Sequence, residues 1–131
     1  MPGPRSPFSY AVYRLIPDLQ RGECLNVGVI VFSRPRDFLG VRTLLDKRRL
    51  AALAPGYDPE PLRPQLQALE RVASGARDGG PIALLDTTAR FHWLTAPSST
   101  SIQPSQVHTG LCADPQATLD ELFDELVAAP V

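Results

Sequence analysis

The sequence is poor in the side chains that build metal and redox centres. Its two cysteines, Cys24 and Cys112, lie far apart, and neither belongs to a Cys-x-x-Cys pair or a His/Cys cluster. That spacing excludes the usual zinc and dithiol sites and leads us to expect free thiols, no metal and no other cofactor. No apolar run approaches the roughly 20 residues of a membrane-spanning helix, and the N-terminus lacks the basic-then-apolar layout of a secretory signal. We therefore expect a cytoplasmic protein without membrane contact. Phosphate loops are missing as well: there is no Gly-x-Gly-x-x-Gly and no P-loop, and "NVGV" supplies a single glycine inside a strand-like run.

Basic residues are absent after Arg90, where Asp114, Asp120, Glu121, Asp124 and Glu125 leave a net −5. Residues 1–49 carry nine Lys/Arg against four Asp/Glu, a net +5, although the whole chain stands at −1. Two such segments either attract each other or present separate surfaces to partners.

An apolar fraction of 44% with 21% charged residues excludes global disorder, and 131 residues fit one domain. The 14 prolines punctuate short elements: "MPGPRSP", "RPRD" and "APGYDPEPLRP" read as stiffened connections. "FSYAVYRLIP" (8–17) is aromatic and β-branched and predicts a strand, and "CLNVGVIVF" (24–32) predicts a second. In the second, Leu25, Val27, Val29 and Val31 fall on one face and Ile30 and Phe32 on the other, the pattern of a central strand. "PDLQRGE" makes the pair an antiparallel hairpin that Arg21 and Glu23 close, and Gly28 marks a bulge or a close backbone approach. "FLGVRTLLD" completes a meander.

Asp46 then caps a short helix that stops at Pro55-Gly56. Leu62, Leu66, Leu69 and Val72 mark the packing face of a second helix, ended by Gly75. Thr87 or Thr88 caps a third over 88–94, and extended pieces are expected near 100–103 and 106–108. Asp114, with Pro115 at the first helical position, starts an amphipathic C-terminal helix with a stripe of Leu119, Leu122, Phe123, Leu126 and Val127. The expected fold is α+β: an antiparallel sheet of three to four strands packed with three to four helices over residues 8–131, behind a flexible tail at 1–7.

Candidate chemistry is sparse. His92, between Phe91 and Trp93, reads as part of an aromatic packing segment, whereas His108 in "QVHTGLC" sits among hydroxyls. A trio of Ser105, His108 and Asp114 has no nucleophile elbow behind it. Lys47, Arg48 and Arg49 occupy a helix N-terminus, where the macrodipole disfavours positive charge, and with Arg34 and Arg36 they are a candidate basic patch. Without a stacking motif, and at a pI of about 6.1, this patch argues against nucleic acid more than for it.

"YAVYRLIPD", "RGECLNVGVIVF", "FHWLTAP", "IQPSQVHTGL" and "LDELFDELV" together resemble the bacterial family known as domain of unknown function 3037, from about Phe8 to Val127. The combination "RGE..NVGV..F" is the specific element. Such a resemblance implies a small bacterial protein with no assigned reaction, often encoded beside a HipA-type serine/threonine kinase, and hence a non-enzymatic accessory or protein-binding module partnering that kinase. Positions matching the family's recurrent polar residues are Arg14, Arg21, Glu23, Asn26, Gln103, His108 and Thr109. Where the family resembles "APRSTVIQ" this chain has "APSSTSIQ", with Ser98 for arginine and Ser101 for an aliphatic residue, which removes support for an anion contact there. The alternatives carried forward are a small enzyme or ligand-binding module built on Arg21, Glu23 and His108, and nucleic-acid binding through the basic residues. A homo-oligomer is left open.

Overall fold

The structure, a computed structural model, describes residues 4–128; residues 1–3 of the expected tail lie outside them. Strands β1 (Ser6–Leu15), β2 (Leu25–Ser33) and β3 (Phe38–Thr43) form the expected antiparallel meander. Helices α1 (Lys47–Leu53), α2 (Leu62–Ser74) and α3 (Thr87–Leu94) follow, with single 3₁₀ turns at Arg77–Gly79 and Ile82–Leu84 before α3. Strands β4 (Ile102–Pro104) and β5 (His108–Cys112) and helix α4 (Pro115–Leu126) complete the chain. No helix of the described residues is long and apolar enough to cross a membrane.

The sheet has five strands, more than expected, because both short extended pieces pair with β1. They lie end to end along one edge, β5 against Ser6–Tyr10 and β4 against Tyr13–Leu15, so β1 is interior. Between them Ser105 fastens the gap: its N–H donates to the Val12 carbonyl at 2.8 Å and its hydroxyl accepts from the Val12 N–H at 2.9 Å. Ser6 and Pro7, assigned to the tail by sequence, pair with Cys112 and Leu111 inside the sheet.

Helices α1–α3 cover one face of the sheet and α4 the other. Ala11, Tyr13, Leu15, Val27, Ile30 and Ile102 pack with Leu50, Leu62, Leu66, Phe91 and Leu94 on the first face. Val29 and Val31 pack with Leu119, Phe123 and Val127 on the second. The expectation that Leu25, Val27, Val29 and Val31 share one face is therefore wrong. Tyr13 pairs with Gly28 but Arg14 with Asn26, so Val27 is an extra residue and the alternation changes phase there. Gly28 sits beside this bulge as expected. A Cβ on it would lie 3.1 Å from the Arg42 carbonyl oxygen and 3.3 Å from Tyr13 Cδ2, so only glycine admits the Tyr13 ring without displacement.

Caps Asp46, Gly75 and Asp114 are as read from sequence. The cap of α3 is Asp86, whose carboxylate accepts from the Ala89 N–H, rather than Thr87 or Thr88. The two charge-biased segments meet where Arg42 pairs with Asp120 at 3.0 Å and lies over the Phe123 ring.

Candidate functional surface

Cross-strand partners share a face of a sheet, so the register decides which of the family's polar positions come together. Arg14 pairs with Asn26 on one side and Gln103 on the other, and four residues back along β1, on the same face, Tyr10 pairs with Val31 and His108. Arg14, Asn26, Gln103 and His108 thus lie on the face that carries α4. Helix α4 packs over β2 and β3, which leaves the β1, β4 and β5 half of this face with Arg14, Gln103 and His108, while Phe8 and Tyr10, half-buried, border the Val29 and Phe123 cluster. Arg14 and His108 are exposed, and the Tyr10 ring lies between Phe8, on which it stacks at 6.0 Å, and His108, whose ring is tilted against it at 5.2 Å.

The four side chains have different tasks. Asn26 Nδ2 donates to the Leu126 carbonyl at 3.0 Å and, with Arg49 Nη1 on the Val127 carbonyl at 2.9 Å, satisfies the C-terminal end of α4. Gln103 Nε2 donates to the Thr100 carbonyl and ties down the preceding loop. The Arg14 side chain makes no hydrogen bond or ion pair among the described residues, which leaves its guanidinium available to a partner. Thr109 pairs with Ser9 and points to the opposite face.

Arg21 and Glu23 stand elsewhere. Asp18 accepts from the Gln20 and Arg21 N–H groups, Gly22 takes a positive φ of 71°, and Arg21 Nε meets Glu23 Oε1 at 2.7 Å, closing the hairpin as expected. The hydrogen bond to Glu23, followed by its charge, raises the Arg21 pKa. Both line a cleft of about 380 Å³ with mixed walls, Asp18 on the polar side and Leu53 on the apolar. His108 is five residues of β1 away, about 17 Å at the rise of a strand. The site expected from Arg21, Glu23 and His108 does not form, because the hairpin loop and β5 flank opposite parts of β1.

The basic residues likewise do not form one patch. Arg34 and Arg36 precede β3 and Lys47, Arg48 and Arg49 follow it, about 20 Å apart along six residues. Arg36 holds the start of β1 through Ser6 Oγ and the chain just ahead of it through the Pro4 carbonyl. The Asp46 carboxylate answers the unfavourable charge at the start of α1: it caps Arg48 and Arg49 and pairs with Arg49 at 3.6 Å.

Sequence reasoning missed an apolar groove of about 430 Å³ between α2, α3 and β4, lined by Tyr13, Leu69, Trp93, Ala96 and Ile102 among others. Trp93, expected to pack, is 51% exposed, and His92 beside it is exposed too. The spacing of Phe91 and Leu94, both buried, held the missing signal: a three-residue step leaves residues 92 and 93 facing away. The buried Tyr13 hydroxyl donates to the Leu94 carbonyl at 2.8 Å and so fixes α3 to the sheet.

Among the described residues no group of three His, Cys, Asp or Glu side chains is placed to hold a metal ion, and Cys24 (exposed) and Cys112 (buried) are free thiols. No curated protein and no solved structure gives a match. Residues 10–127 match the family described as "Protein of unknown function (DUF3037)", and the chain belongs to that family.

Proposed function

We propose that this member of the family is a non-enzymatic protein-binding module that docks a HipA-type serine/threonine kinase through the β1, β4 and β5 half of the α4 face. One observation carries the reading: Arg14, Gln103 and His108, separated by up to 94 positions in sequence, are brought by the register onto one surface beside Tyr10. Aromatic and arginine side chains anchor protein interfaces, and a face of a sheet offers breadth rather than the enclosed cleft that small substrates need. The choice of partner rests on the family resemblance.

Calorimetric titration of the purified kinase is the test. Binding at micromolar concentration is expected, with Arg14→Glu and Tyr10→Ala each weakening it by about tenfold or more, the size of a hot-spot loss. Absence of binding, or unchanged affinity in both folded variants, overturns the proposal.

The groove beside Trp93 favours a second reading, capture of an apolar ligand or side chain, since its volume falls within the roughly 300–1,000 Å³ range of ligand sites. Trp93 is the single tryptophan, so in protein labelled with 7-azatryptophan, excited beyond the absorption of ordinary tryptophan, its emission reports occupancy of the groove directly. A blue shift on adding the kinase places the contact in the groove; no shift while binding proceeds rejects that reading.

A further inference from the structure

The two edges of the sheet are treated differently. On the β3 edge Thr43 donates its N–H and hydroxyl to Glu70 Oε1 at 3.0 and 2.7 Å, and Arg42 is held by Asp120. The β5 edge has no such cover: among the described residues the backbone of His108–Cys112 makes no hydrogen bond beyond its ladder with β1. From Ser105 to Ala113 there is no Lys, Arg, Asp, Glu or Pro, although charge and proline are the usual means of blocking strand addition. Residues 106–109 and 111 are all exposed, and Val107 (40%) and Leu111 (62%) are apolar.

We infer that this edge is a self-association site, at which β5 pairs antiparallel with β5 of a second copy around a two-fold axis through Thr109. The pattern of the strand selects both occupant and register. Val107, one residue ahead of β5, and Leu111 lie two residues either side of Thr109, so pairing centred there and extended by that one residue sets each Val107 opposite the partner's Leu111 and shields both apolar side chains at once. Thr109 meets its own copy, a favourable cross-strand pair. His108 falls opposite the partner's Gly110, which presents no side chain; Gly110 has no room for one, since a Cβ would lie 2.8 Å from Phe8. With no formal charge on the strand, two identical copies meet without repulsion. The product is a continuous ten-stranded sheet. A contact of this length is small, so the dimer is concentration-dependent. The inference does not depend on the kinase reading.

Sedimentation velocity and light scattering over roughly 1–500 μM test it. The full chain is expected to rise from 14.3 kDa towards twice that mass, while Leu111→Lys stays monomeric with unchanged circular dichroism and melting temperature. In a Cys24→Ser background, Thr109→Cys brings two thiols opposite one another across the axis. It should oxidise to a covalent dimer at least about tenfold faster than Ser98→Cys on an exposed loop. A monomeric mass at the highest concentration, dimerisation of Leu111→Lys like the parent, or equal crosslinking at positions 109 and 98 each overturns the inference.

Discussion

Tyr13 shows how much one side chain decides. Burial pushes its phenol well above the ordinary value of 10.0, and its hydroxyl is spent on the Leu94 carbonyl. The folded protein therefore keeps this proton after the unfolded chain has released it. The stabilisation is fully present below pH 10 and declines as pH rises further towards the folded value. Tyr13→Phe is expected to cost about 1 kcal/mol in urea unfolding near pH 8 through the lost hydrogen bond. Its deficit relative to the parent should narrow above pH 10, because phenylalanine has no proton to lose; a pH-independent deficit contradicts this account. Gly28 is the second decisive residue. Gly28→Val would drive its branches into the Arg42 carbonyl, Thr43 and the Tyr13 ring, and a loss of about 1–3 kcal/mol in the same assay is expected, with Gly28→Ala at the lower end.

At the scale of elements, local signals held wherever the deciding chemistry was local. The α4 cap is an example: Asp114 accepts from the Gln116 and Ala117 N–H groups at 3.0 and 3.3 Å, and Pro115 supplies the first helical position. Asp114→Ala should cost about 1 kcal/mol and lower the melting temperature by about 3–5 °C, while Asp114→Asn retains most of the cap. Strand β2 read correctly as a central strand, yet its faces did not, because a one-residue bulge resets alternation and leaves no mark in composition beyond a glycine. Strands β4 and β5 were legible only as extended pieces. Neither is long enough to announce itself, and each is defined by where it meets β1.

At the scale of the molecule, the charge imbalance along the chain resolves partly into an internal contact. Arg42 joins Asp120 and Phe123 across the β3 edge, while Asn26 and Arg49 hold the last carbonyls of α4. Phe123 is buried in that layer, and Phe123→Ala is expected to lose about 3–5 kcal/mol, measured by denaturant unfolding, since it leaves a cavity and strips Arg42 of its platform. Candidate site residues were legible as types and not as a constellation. Arg14 and His108 share a face, Arg21 and Glu23 close a distant hairpin, and Thr109 points the other way.

By itself, the sequence determined the elements whose causes lie within a few residues: the meander, the caps of α1 and α4, the left-handed stop of α2 at Gly75, and the amphipathic stripe of α4. Tertiary structure decided the phase of β2, the order of strands at the β1 edge, which polar positions share a surface, and which edge stays open. The physical reason is range. Caps, turns and helical stripes are settled by neighbours along the chain, whereas sheet register and face depend on pairing between residues as distant as Tyr10 and His108, which no local pattern specifies.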